Sequence, residues 1–217
     1  MIMKLEFNKK NILLIFVFLF GIFLIYSVFQ YSLRKDISPD SSSLTESEIE
    51  GLLLMREEEK LARDVYLTLG KKWNLPIFSN IARSEQTHMD MVKDLLDKYN
   101  IPDPVKDNSI GVFSNKKLDV LYNQLVEKGN KSLLDALLVG ATVEDLDIKD
   151  LQDLLEDTQL ADISFVYENL MRGSRNHLRA YVRQIEQRGG KYTPKYISRV
   201  YYQKVIDSSQ EKGFSRN

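Results

Sequence analysis

Four stretches of this chain carry apolar residues at alternating steps of three and four, and each stripe is broken near its middle by side chains able to bind a metal. The first runs Leu52, Met55, Glu59, Ala62, Tyr66, Leu69, and the second Ile81, Glu85, His88, Val92, Leu95, Tyr99. The third runs Leu134, Leu137, Ala141, Glu144, Ile148, Leu151, Leu155, and the fourth Leu160, Ile163, Tyr167, Leu170, Ser174, His177, Tyr181. Such spacing puts one apolar face on each helix, and four such faces pack as a bundle. No segment sustains the two-residue alternation of a half-buried strand, so the fold class is all-α.

The ends of the helices are legible too. Thr45 with Glu48 forms a capping-box pattern, and Gly70 offers a stop after Leu69, giving a helix over 46–69. Pro76 and Ser79 open a second helix, which runs to about Tyr99 before Pro102 and Pro104. A long connection follows, holding a shorter helix from Ser114 to Lys128 that ends at Gly129. Ser132 caps a third long helix to Leu155, with a bend expected near Asp147. The fourth spans Leu160 to Arg188 and stops at Gly189-Gly190. The aromatic, basic stretch from Tyr192 to Ile206 is expected to pack on the outside.

The interruptions need a physical reason. An ionised carboxylate moved from water into a core costs several kcal/mol unless it is paired or bound to a metal. Carboxylates facing one another would also repel, driving some of their pKa values up. No Lys or Arg occupies a seam position to neutralise them. A divalent cation removes both penalties, and carboxylates with imidazoles suit iron, manganese or zinc. Glu85 and His88 stand three apart on one helical face, so both point the same way. The chain has two histidines, and both lie on these inward stripes. Taken singly, each residue has a plainer reading. A glutamate within Glu57-Glu58-Glu59 ordinarily faces solvent, an inward histidine is usually a hydrogen-bonded core residue, and Asp147 could be a solvent-facing acid. Interruption of four stripes at one level makes a shared cation the better account.

Ahead of this domain, Lys10 to Arg34 encloses no charge, and Ile12 to Phe29 is apolar apart from Gly21, Tyr26 and Ser27. A helix of that length spans about 27 Å, close to the hydrocarbon thickness of a bilayer. The run ends Tyr-Ser-Val-Phe-Gln-Tyr, without the small residues of a signal-peptidase site. The expected layout is a cytoplasmic N-terminus (1–10), one transmembrane anchor (11–33), a linker (34–45), the four-helix bundle (46–206) and a tail (207–217). Lys4, Lys9 and Lys10 favour the cytoplasmic side for the N-terminus, placing the bundle outside a cell membrane that it meets through this single helix. Residues 1–36 carry a net +3, so the overall charge of −1 leaves −4 for the rest. A mildly acidic domain with no basic stripe excludes a nucleic-acid binder. The absence of cysteine excludes disulfides, Cys-ligated zinc and iron–sulfur clusters.

These residues resemble the ferritin-like superfamily, whose di-metal members draw one Glu from each of two helices and a Glu-x-x-His from each of the other two. The likeness is closest to the rubrerythrins. It is carried by Glu59, Ala62, Arg63 and Tyr66 in the first helix, Glu85-Gln86-Thr87-His88 in the second, and Glu144 with Asp147 in the third. From Met55 to Tyr181 the chain looks like an uncharacterised ferritin-like family, domain of unknown function 2202, over about residues 47–205. The resemblance implies a ferritin-like four-helix bundle holding a di-iron or mixed divalent transition-metal centre. Glu59, Glu85 and His88 would bind one ion. Glu144 and His177, sharing Glu85, would bind a second, with Asp147 as a conditional ligand. Ser174 departs from the pattern, standing where a bridging Glu is expected, which implies an asymmetric pair or a single tightly bound metal. Arg63, Tyr66, Ser174 and Tyr181 would surround the ligands, with Tyr66, Tyr167 and Tyr181 as donors, electron relays or simple packing.

Such a centre implies redox chemistry on dioxygen, peroxide or ferrous iron. Without cysteines, any electron donor must be external. A non-catalytic metal binder at the cell surface, or a bundle that has lost its metal, remain the alternatives. A homodimer is compatible with the sequence; a storage cage conflicts with an anchor on every subunit.

Overall fold

The structure is a computed structural model and describes residues 44–213; among them it contains six helices and no strand. These are α1 (Glu46–Trp73), α2 (Pro76–Lys98), α3 (Lys116–Gly129), α4 (Leu133–Asp157), α5 (Ala161–Glu186) and α6 (Arg199–Asp207). The expected anchor and most of the linker fall at residues 1–43, outside the described residues, as do 214–217. Among the described residues, no helix is long and apolar enough to cross a membrane.

The caps expected from sequence are present. Thr45 accepts from the Glu48 amide while the Glu48 carboxylate accepts from the Thr45 amide at 2.9 Å. Ser132 accepts from the Asp135 amide at 3.0 Å. The stop expected at Gly70 does not occur. The helix continues to Trp73 and ends on Asn74, which takes the left-handed conformation at φ 49°. Gly70 instead serves packing: a Cβ there would lie 3.0 Å from Cβ of Phe78 on the next helix. The third long helix passes through Asp147 without interruption.

α1 packs on α2 and α4 on α5; α1 also meets α4, and α2 meets α5, which closes a bundle of four long helices. Its interior divides in two. One apolar cluster takes Val65 and Leu69 of α1, Phe78 and Ile81 of α2, Leu137 and Ala141 of α4, and Leu178 and Val182 of α5. The other takes Leu52 and Met55, Val92 and Leu96, Leu151, and Ile163 and Leu170 from the same helices. In every helix the polar seam residues fall between the two.

This division also accounts for the long connection. α2 and α4 both begin in the first cluster, so they run parallel, and the chain must travel back along roughly 34 Å of helix between them. It does so along the outside of α1, with α3 packing on α1 and α4. The stretch after Gly190 is more deeply embedded than expected for an outer covering. Tyr192, Ile197 and Val205 are all buried, because Asp145 of α4 reaches out to accept from Tyr192 OH and the amides of Lys195, Tyr196 and Ile197.

Candidate metal centre

Each long helix contributes to a polar layer between the apolar clusters. Glu59, Glu85 and Glu144 are 1 to 2% exposed, and His88 and His177 are 7 and 9% exposed. Their heptad positions on α1, α2, α4 and α5 point them inward, where they converge. Two groups form, Glu59–Glu85–His88 and Glu85–Glu144–His177, each with ligand atoms within 4.8 Å of one another.

Glu85 belongs to both groups through separate oxygens. Its Oε2 lies 2.8 Å from Nδ1 of His88, and its Oε1 lies 2.9 Å from Nδ1 of His177. Glu59 Oε2 is 3.2 Å from Nδ1 of His88, and Glu144 Oε2 is 3.4 Å from Nδ1 of His177. The two imidazoles are near parallel, with centroids 5.7 Å apart. Both turn Nδ1 toward the carboxylates.

The electrostatics follow from burial and crowding. Burial raises the Glu59 carboxyl; His88 opposes this, Glu85 adds to it, and the result is about 7. Glu144 is pushed up to about 7 by burial and by Glu85, against the pull of His177. Burial would raise Glu85 as well, but the two histidines overcome it and hold its carboxyl far below the usual range. Burial would lower His177, yet Glu85 and Glu144 lift it to about 10, and Glu59 and Glu85 raise His88 in the same way. Even so, Glu59 Oε1 is buried with no hydrogen-bond partner, and Glu85 Oε1 and His177 Nδ1, 2.9 Å apart, are paired by charge without the alignment of a hydrogen bond. Buried polar atoms are nearly always satisfied, so one orphaned oxygen and one misaligned pair in a single layer stand out.

The residues expected around these ligands divide. Tyr66 donates to Glu144 Oε1 at 2.5 Å, which fixes that carboxylate. Ser174 Oγ lies within hydrogen-bond reach of both Asp147 Oδ2 and the Leu170 carbonyl, the latter at 2.9 Å. Asp147 is therefore held by Ser174 and joins neither group, and burial raises its pKa well above the ordinary value. Tyr181 packs on the Tyr66 ring at 5.4 Å, with its hydroxyl unpartnered. Arg63 turns away, to Asp64, Gln86 and Asn108, because its place on α1 faces the long connection. Tyr167 lies in the other apolar cluster, with its hydroxyl beside Gly51.

Two contributors carry weak sequence signals. Ser84, one residue before Glu85, hydrogen-bonds Nε2 of His177 at 3.0 Å and so orients the ring. Gly173 leaves room for His88: a Cβ there would fall 2.5 Å from Cε1 and Nε2 of that imidazole. A helical glycine one step before an interrupted stripe is a usable clue to such an approach.

A family model described as an uncharacterized protein domain (DUF2202) matches residues 48–209. An uncharacterized protein of Methanocaldococcus jannaschii, MJ0754, is 65% identical over 173 residues, which is 80% of this chain and 94% of that protein. A crystal structure titled as hypothetical protein MJ0754 from Methanococcus jannaschii superposes with a TM-score of 0.77 at 65% identity, covering 77% of this chain and 96% of the other.

Proposed function

The chain belongs to the DUF2202 family, and from its buried layer we propose that it is a ferritin-like metal-binding protein with a two-metal carboxylate redox centre. The observation that carries this reading is Glu85, whose two oxygens face two different imidazoles, each backed by a further carboxylate. That is the arrangement of a bridging ligand. The donor set is hard oxygen with imidazole nitrogen, which suits iron, manganese or zinc. Glu59 Oε1, which has no partner, and Glu85 Oε1 and His177 Nδ1, which face each other without hydrogen-bond alignment, are the atoms such ions would satisfy.

In this reading Glu59, Glu85 and His88 hold one ion, and Glu85, Glu144 and His177 hold the other. Asp147 is kept apart by Ser174. Iron or manganese held there would supply redox chemistry toward dioxygen, peroxide or ferrous iron, which zinc would not. The chain's own residues position and insulate them. Tyr66 fixes Glu144, Ser84 fixes His177, and an apolar cluster bounds the layer at each end. The absence of cysteine makes the reductant an external partner or ferrous iron itself. The uncharged run at 11–33 supports attachment to a cell membrane, with the bundle outside.

Elemental analysis and anomalous diffraction on the purified full chain test the centre. We expect about two transition-metal ions per chain, most of them lost in Glu85→Ala. Unchanged metal content in that variant removes the assignment. Dioxygen or peroxide consumption by the iron-loaded protein then separates a redox enzyme from a metal carrier.

A further inference from the structure

The three consecutive glutamates of α1 leave the helix in three directions. Glu57 turns outward and accepts from the amides of Ser114 and Asn115, while Glu59 turns inward to the metal layer. Glu58 points sideways at α4, into a small cleft that it lines with Leu61 and Ala62 of its own helix and Val143, Leu146 and Asp147 of the other. Its Oε2 is sealed from solvent and has no hydrogen-bond partner. Long charged side chains ordinarily lay their stems on apolar surface and keep the charged end in water. Glu58 does the reverse.

Burying a carboxylate without a partner is costly, and the surroundings add to that cost. Asp150 and Glu59 act on Glu58 with like charge and no cation opposes them, so together with burial they raise its carboxyl well above the ordinary range. Asp150 stands three residues after Asp147 on the same face of α4 and is lifted to about 6 by burial and Asp153. The cation nearest to it, Lys149, is already paired with Asp153. Asp147 is 9% exposed, uses one oxygen on Ser174, and leaves Oδ1 without a hydrogen bond among the described residues. The cleft has room for about 10 Å³, the size of one water. A water there would supply a hydrogen bond but leave the like charges unopposed, and an organic cation is too large. A small metal ion fits the room and removes the repulsion. These carboxylates do not converge as tightly as the ligands of the two triads, so water must complete the shell. A hydrated shell of oxygens without imidazole suits harder divalent cations than the triads do.

We propose that this cleft is a separate cation site, in which Glu58, Asp147 and Asp150 hold one partly hydrated divalent cation of the oxygen-preferring class, such as Mn²⁺. The site lies beside the layer, between α1 and α4, and does not depend on the triads being filled.

The test is calorimetric titration of the full chain with Mn²⁺, after two equivalents of zinc have been added to occupy the imidazole-containing triads, for which zinc outcompetes manganese. One further ion per chain is expected. Glu58→Gln and Asp150→Asn should each weaken its binding by about tenfold or more. Asp94→Asn, at an exposed acid on α2, should leave it unchanged. Glu58→Gln and Asp150→Asn both remove a repelled carboxylate, so the metal-free melting temperature should hold or rise, which certifies the fold of each variant. No Mn²⁺ bound beyond the zinc, the result for a cleft that holds only water, overturns the proposal. So does binding that Asp94→Asn weakens as much as Glu58→Gln, the result for ions scattered over surface acids. Zinc content is measured on the same samples. Zinc bound without a Mn²⁺ response keeps the triads and removes the cleft, and a Mn²⁺ response lost in Glu58→Gln without bound zinc does the opposite.

Discussion

Two sets of buried charges lie on one helix, and they are treated in opposite ways. On the outer face of α1, Lys60 donates to Asp64 Oδ2 at 2.5 Å and to the Ser109 carbonyl at 2.8 Å, and Arg63 donates to Asp64 Oδ1 at 2.9 Å. The Gly111 amide adds a further donor to Asp64, Arg56 pairs with Asp103 at 2.9 Å, and Glu57 accepts from the amides of Ser114 and Asn115. On the inner face, Glu59 pairs with a single histidine, faces the like-charged Glu85 and keeps one orphaned oxygen. The outer set closes on itself because the long connection supplies backbone donors and acceptors. In the proposed function a metal from outside the chain completes the inner set. Complete internal pairing marks structure, and incomplete pairing at equal depth marks a place for a ligand.

The adjacent residues Lys60 and Glu59 give the sharpest way to break this contrast. Lys60→Met should strip Asp64 of a buried cation and destabilise the protein by about 3–5 kcal/mol, the usual result of breaking a buried pair from one side. Thermal unfolding measures it. Glu59→Gln should leave the metal-free melting temperature unchanged or slightly raised, because it removes a carboxylate already forced up to about 7. Its metal affinity should fall by at least the ~10–100-fold that even indirect partners of metal ligands command. Equal destabilisation by both substitutions would erase the distinction drawn here.

A smaller effect is expected from pH. His177 titrates near 10 rather than 6.5, and Glu59 and Glu144 near 7 rather than 4.5, so the folded, metal-free protein holds more protons than the unfolded chain. The histidine contribution is fully present below about 6.5 and is lost as pH climbs toward 10. The glutamate penalty sets in above about 4.5 and is complete once past 7. Both make the metal-free protein less stable as pH rises, while a metal must displace these same protons. Stabilisation by added zinc, read as a melting shift, should therefore be larger at pH 8.5 than at pH 6. A shift that shrinks with pH would place the ion elsewhere. Last in size, Ser174→Ala removes the donor to Asp147 and should cost ~1–3 kcal/mol without changing metal stoichiometry. A drop in bound metal would return Asp147 to the ligand set.

What the order of residues determined was the set of helices and the faces they bury. Interrupted stripes at 3–4 spacing identified Glu59, Glu85, His88, Glu144 and His177 without knowledge of any contact, since periodicity is a local property of the chain. The tertiary structure decided matters that depend on which surfaces meet. Asp147 went to Ser174 rather than to a triad, Arg63 turned outward, Gly70 became a packing site instead of a stop, and Asp64 and Asp145 were claimed by segments far along the chain. A carboxylate's partner is set by the element packed against it, and helical spacing reports only the direction in which the side chain leaves.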